Sequence, residues 1–342
     1  MSLTVPTGRL FDRARTLVAE RLVPCAVVGL ARHNRLLDLL AVPDPDGRFP
    51  VTPESQFLVA SVTKPVVATA IMRLVEEGRL LLGDPVARYL PEFARHGKET
   101  VTTWHLLTHT SGLDEGYVQR LTETGGGPAE HIAGALDSFL RFPPGSRFQY
   151  NNAAFWVLAA LLERLAGLPY PEVLQRVLFT PLAMRATGFV PDPERAVPVL
   201  NFPWPERFAD FVRLQQPAGG LFSTAADLLR FGQLFLNRGT LDGHRLLSPA
   251  TVRLMTRLHL ETTYEWEPGR PQTVRWALGW SKGNPDHDLV SPEGFGHAGA
   301  TGTLLWVDPA FDLVFVFLTN HWGNDQRAAR LLLNAALAAS EE

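Results

Sequence analysis

The fold class that the sequence predicts is α+β: a lobe of strands and helices made from both ends of the chain, with a mainly helical segment between them. Three observations predict it. Two short apolar runs, at 26–31 and 36–42, flank a turn at His33-Asn34. From about residue 84 to 258 the pattern changes to helices and loops. Apolar runs bounded by turn signals then return at 276–280, 303–307 and 313–318, the signature of buried strands. Residues 1–83 and 259–342 are therefore expected to form one discontinuous lobe and residues 84–258 the other, with the site at their junction.

The elements follow in order. Residues 11–22 put Leu17, Val18 and Leu22 on one face of a helix. Asp44-Pro45-Asp46-Gly47 is a loop signal after the second strand. Residues 66–78 are apolar on most of their surface (Val66, Val67, Ala70, Ile71, Leu74, Val75), so this helix belongs in a core, and Gly78 fits its C-terminal cap. Helices follow at 153–166 and 225–237, the latter with Ser223 or Thr224 as N-cap. Residues 185–217 are proline-rich and lack periodicity, which predicts a long surface excursion of the kind that often carries function. A helix at 328–339 closes the chain.

Composition narrows the function. The chain has 342 residues, 46% hydrophobic and 20% charged, with net charge −3 from 32 basic and 35 acidic side chains. Its cations are not clustered along a track that could follow a phosphate backbone, so a nucleic-acid partner is not expected. No glycine-rich phosphate loop of the G-x-x-x-x-G-K-[ST] type occurs. One cysteine, Cys25, lies in an apolar run; it reads as a buried thiol and excludes an internal disulfide and cysteine-based zinc clusters. The first 22 residues read as an amphipathic helix and not as a leader, and no run reaches the roughly 18 apolar residues of a membrane span, so a cytoplasmic protein is expected.

Chemistry is concentrated at Ser61-Val62-Thr63-Lys64, an S-x-x-K sequence followed by Pro65. Proline is tolerated in the first turn of a helix, where N–H groups lack partners, so Pro65 sets the helix start close to Ser61. Positions 61 and 64 then share a face. A serine hydroxyl is a poor nucleophile without a base. A lysine ammonium at its ordinary pKa of about 10.4 is not one at neutral pH, but burial and the helix dipole both disfavour its charge. Two further segments complete a set: Tyr150-Asn151-Asn152, placed just before an apolar helix, and His297-Ala298-Gly299, opening a glycine-rich run that leads into a strand.

In their order and separation these three segments resemble the serine β-lactamase and penicillin-binding-protein superfamily, which includes class C β-lactamases, D-alanyl-D-alanine carboxypeptidases and family VIII esterases. Supporting segments are similar too: LGDPV at 82–86, WHLLTHTSG at 104–112, Pro144-Gly145, Gly219-Gly220-Leu221 and Leu318-Thr319-Asn320. The similarity runs from about residue 10 to 335. It implies an antiparallel sheet flanked by helices, no cofactor or metal, and a small-molecule ester, amide or β-lactam substrate. It implies that Ser61 attacks the carbonyl and that Lys64 and Tyr150 share the proton work, Tyr150 as a phenolate stabilised by the lysine or Lys64 as the base. Asn152, His297, Gly299 and Ala300 are implied to bind substrate, Asn152 also positioning Lys64. The backbone N–H groups of Ser61 and Ala300 would form the oxyanion hole. The protein is thus expected to be a serine hydrolase working through an acyl-enzyme. The alternatives are a true β-lactamase or D-Ala-D-Ala carboxypeptidase, and a catalytically silent penicillin-binding or sensor domain.

His297 departs from the lysine that β-lactamases mostly carry. An imidazole, with an ordinary pKa near 6.5, is largely neutral at pH 7. A substrate with less negative charge is therefore favoured. The G-x-S-x-G pattern at 279–283 proposes Ser281 with Asp308 and His321, but too little chain follows to complete an α/β-hydrolase sheet. His105 and His109 have zinc-helix spacing without the glutamate of H-E-x-x-H, and His109 reads as a loop brace. Phe202, Trp204, Phe208 and Phe211 cluster in the proline-rich excursion; Trp204 and its neighbours are read as the wall of an acyl pocket.

Overall fold

The computed structural model describes residues 7–267 and 269–340. An eight-stranded antiparallel sheet forms its centre. We number its strands β1 (Ala26–Arg32), β2 (Arg35–Val42), β3 (Leu260–Glu267), β4 (Arg270–Trp276), β5 (Ser281–Lys282), β6 (Phe295–Ala298), β7 (Leu304–Asp308) and β8 (Leu313–Leu318). Their spatial order is β2-β1-β8-β7-β6-β5-β4-β3, so β1 pairs with β8 and joins the two ends of the chain.

Both faces of the central strands are covered, which is why they read as continuous apolar runs. In β8, Val314, Val316 and Leu318 enter one core, while Leu313, Phe315 and Phe317 enter another. The same alternation in β1 sends Val27 and Ala31 one way and Ala26, Val28 and Leu30 the other, as the two-residue period of a strand requires. Helices α1 (Gly8–Ala19) and α5 (Arg327–Ala339) cover the second face with Leu10, Leu17, Leu332 and Leu333. The first face lies on α2 (Thr63–Glu76) and α4 (Ala225–Leu236). Helix α4 packs on β1, β7 and β8, although it lies inside the segment expected to form the helical lobe. Helix α3 (Ala153–Ala166), buried from Ala153 to Leu162, packs on α2.

Most elements match the expectation within a few residues, and three differ. The run at 276–280 is not one strand: β4 ends at Trp276 and Gly279, with φ +74°, turns the chain into β5. A Cβ on Gly279 would sit 2.4 Å from that of Ala68 in α2, so this G-x-S-x-G pattern is a packing turn. The hairpin β3–β4 was not expected, although Leu260, Thr262, Tyr264 and Trp266 alternate with Glu261, Thr263 and Glu265, and its Leu260, Tyr264, Val274 and Trp276 pack with Phe148. The proline-rich excursion holds a short 3₁₀ turn, Pro205–Arg207, and a helix, Phe208–Leu214, packed through Phe211 and Phe202 against Leu58 and Phe222. Cys25 is buried, and burial pushes its thiol up to about 12. Among the described residues no single helix is long and apolar enough to cross a membrane.

Candidate active site

Ser61 sits in a 3₁₀ turn, Ala60–Val62, that runs directly into α2. The residue before it, Ala60, has φ +46°, a left-handed conformation that costs about 1–3 kcal/mol away from glycine and gathers at functional sites. Neighbouring bonds hold it there. Thr63 Oγ1 donates to the Ala60 carbonyl at 2.7 Å and accepts from Leu221 N–H at 3.1 Å. Val59 N–H donates to the Leu221 carbonyl at 2.9 Å.

Lys64 is wholly buried one turn along, with Nζ 3.1 Å from Ser61 Oγ, 2.9 Å from Asn152 Oδ1 and 2.8 Å from the Ala218 carbonyl. Burial lowers its pKa from 10.5 to about 7, opposed by the nearby Glu115 carboxyl. This geometry fixes the direction of the hydrogen bonds. Asn152 Oδ1 and the Ala218 carbonyl only accept. In a neutral lysine they would take its two N–H groups and leave its lone pair facing Ser61 Oγ.

Tyr150 lies over Lys64, whose Nζ is 4.6 Å from the ring centroid, with its hydroxyl near Ser61. Burial raises the Tyr150 pKa, partly offset by Ser61. A raised pKa favours the phenol over the phenolate that the resemblance allows. Asn152 occupies the N-cap of α3; its N–H donates to Glu115 Oε2 at 2.5 Å.

The glycine-rich run reaches Ser61 from the sheet. Thr301 Oγ1 donates to the Leu58 carbonyl at 2.7 Å and Thr303 Oγ1 to that of Val59 at 3.1 Å. A Cβ on Gly299 would stand 2.3 Å from the Val59 carbonyl oxygen, so only glycine allows this approach. Ala300 is thereby brought to the cleft wall beside Ser61. Gly299 itself works behind the wall, as does His297, which is 4% exposed and packs on Tyr150 and Trp276 with ring centroids 6.3 and 5.6 Å away. Its Nδ1–H donates to the Ala298 carbonyl at 2.8 Å. Burial and the charge of Lys64 lower its pKa to about 3, so it adds no positive charge.

These walls enclose a cleft of about 350 Å³, lined by Ser61, Tyr150, Asn152, Ala218, Ala300 and, on the apolar side, Trp204, Phe211 and Trp322. Phe202 and Phe208 stand behind them as packing. Glu115 and Trp322 line the cleft without having been expected. Each reaches it only through long-range contacts, and neither lies in a recognisable motif. The rival constellation does not assemble. Asp308 binds Ser291 and the Trp306 indole, while His321 bonds Asn201 at the surface. His105 Nδ1 accepts from Thr102 N–H at 3.1 Å in a helix cap.

The chain is similar to several known proteins. The model of the beta-lactamase family matches residues 10–340. Esterase EstB of Burkholderia gladioli is 32% identical over 378 residues, covering 93% of this chain and 91% of that one. Penicillin-binding protein 4 of Amycolatopsis lactamdurans is 32% identical over 289 residues, covering 79% and 73% respectively. A penicillin-binding protein homologue from Caulobacter crescentus has the same fold, with TM-score 0.82 at 24% identity over 96% of this chain and 97% of that one.

Proposed function

Because the chain belongs to the beta-lactamase family and is a serine hydrolase, we propose that it cleaves uncharged small-molecule esters and amides through an acyl-enzyme on Ser61. The observation that supports this most is the Lys64 amine, lowered to about 7 and aimed by two acceptors at Ser61 Oγ. Ser61 Oγ attacks the carbonyl carbon while its proton moves to the Lys64 lone pair. The backbone N–H groups of Ser61 and Ala300 are the donors we assign to the oxyanion; each such donor is typically worth about 10²–10³ in rate. As the tetrahedral intermediate collapses, the Tyr150 phenol protonates the leaving oxygen or nitrogen and takes a proton back from Lys64. Water then attacks the acyl ester, with the proton transfers running in reverse to restore Ser61.

The charge of the cleft supports uncharged substrates. Its described lining carries the Glu115 carboxyl and neither arginine nor lysine, and His297 is held neutral. A substrate carboxylate would therefore find no cation on the cleft wall. We also read residues 1–83 with 259–342 as one lobe and 84–258 as the other. On this division Ser61, Ala300 and Trp322 of the cleft lining belong to the first lobe and Tyr150, Asn152 and Trp204 to the second.

Intact-mass analysis after a fluorophosphonate, followed by turnover of p-nitrophenyl butyrate, nitrocefin and a D-Ala-D-Ala peptide, tests the reading. A single adduct on Ser61 and fastest turnover of the ester are expected. Faster nitrocefin or peptide turnover would replace this reading with a β-lactamase or a carboxypeptidase. A folded protein without an adduct would be a binding module, and a stable adduct without turnover a sensor.

The aromatic wall yields a second expected result. Trp204→Ala should lengthen the preferred acyl chain of p-nitrophenyl esters by several carbons and slow butyrate cleavage about tenfold, the scale on which hydrophobic pockets discriminate methylenes. An unchanged chain-length profile in the folded variant would show that Trp204 is not the acyl wall.

A further inference from the structure

His109 has no part in the proton transfers above, yet its contacts surround Tyr150. It follows the short helix Thr103–Leu107 and is itself left-handed, at φ +57°. Its carbonyl accepts the N–H of Gln149 at 2.8 Å, and its ring Nδ1 accepts the N–H of Asn151 at 3.1 Å. Its ring lies against the ring between those two residues, 4.5 Å from the Tyr150 centroid at an interplanar angle of 32°. One side chain and its own peptide thus hold the backbone on both sides of Tyr150 and one face of its ring.

The surroundings fix His109 in turn. Trp276 meets its ring edge-on at 5.0 Å, and Phe148 and Phe155 pack at 5.8 Å each. The Trp276 indole donates to the Leu107 carbonyl at 3.3 Å, just before the turn that carries His109. Further along, Asn151 Nδ2 donates to the Leu113 carbonyl at 2.7 Å, so the two segments are joined over several residues. Only a ring with a bare Nδ1 can accept from Asn151. Burial, with Lys64 and His297 nearby, holds His109 neutral and keeps that acceptor available.

We propose that His109 is a positioning residue for Tyr150, holding the phenol at the height and tilt at which it meets Ser61 Oγ. The proposal rests on the reading of Tyr150 as the proton donor. Displacing a catalytic group by about 1 Å costs about 10²-fold in rate, whereas the cleft that binds substrate takes no lining residue from His109. The loss therefore falls on kcat and leaves KM nearly unchanged.

The experiment compares His109→Ala, His109→Asn, Tyr150→Phe and the double variant His109→Ala/Tyr150→Phe on ethyl butyrate, whose leaving alkoxide needs a proton, with circular dichroism confirming the fold. Asparagine tolerates φ above zero and offers an amide oxygen to Asn151 N–H. It should therefore recover a good part of the roughly 10²-fold loss in kcat expected for alanine, and it carries the test alone if the alanine variant does not fold. With Tyr150 already phenylalanine, removing His109 should change kcat less than threefold, since groups that act as one unit are not additive. Additive losses, or a loss confined to KM, would reduce His109 to a packing residue. If Tyr150→Phe alone is fully active, the reading of Tyr150 has failed; if it is crippled while both folded His109 variants keep wild-type kcat, only the positioning proposal has failed.

Discussion

Ser61→Ala is expected to lower kcat/KM for p-nitrophenyl butyrate by about 10⁴-fold or more, the scale on which serine nucleophiles are lost in other hydrolases. The cleft offers no substitute. Apart from Tyr150, the other hydroxyl on its described lining is Thr122, which is engaged with the Val118 carbonyl and His131. Lys64 keeps two of its three partners, Asn152 Oδ1 and the Ala218 carbonyl, so the variant should fold and its thermal midpoint should move by only a few degrees. The fluorophosphonate adduct should vanish with the activity. A variant that retains more than about 1% of the rate, or is labelled at another residue, would place the nucleophile elsewhere.

What could be read in the sequence follows a physical division. The central strands were legible because burial on two faces demands continuous apolar runs, and β8 was located to the residue. That Ser61 and Lys64 share a face was legible from Pro65 and the i, i+3 spacing; their roles came from the family resemblance and not from the spacing. The hairpin β3–β4 does have a core side, through Leu260, Tyr264, Val274 and Trp276, but its many charged and polar positions and Pro271 obscure the alternation. The strand read at 276–280 failed because the turn at Gly279 answers to α2, some 200 residues away, and not to its neighbours. Glu115 and Trp322 belong to the same class: their position at the cleft comes from the packing of distant segments. The state of Tyr150 was open for a related reason, since spacing says nothing about burial, and burial sets the pKa.

Lys64→Met is the second change with a large expected effect, and it separates activity from stability through pH. In the wild type, the neutral amine increases as pH rises through about 7, so kcat/KM should rise through that point and level off near pH 8–9. Methionine fills the volume without a basic nitrogen; a loss of about 10³-fold or more is expected, and the rise through pH 7 should disappear with it. Stability moves differently. The folded pKa of Lys64 lies below its unfolded value of 10.5. Between about pH 7 and 10.5 the unfolded chain therefore binds more protons than the folded one, and wild-type stability gains with pH from this group. Below pH 7 both states are protonated, and the full cost of burying the ammonium remains. Methionine carries no such dependence. Relative to wild type, the variant should thus be most favoured at pH 6 and should lose on the order of 4 kcal/mol of that advantage by pH 10, read from urea denaturation at pH 6, 8 and 10. A stability difference that does not change with pH would mean that Lys64 keeps an ordinary pKa in the folded protein. It would then be an ammonium at neutral pH, with three N–H groups for three acceptors and no lone pair with which to take the proton of Ser61.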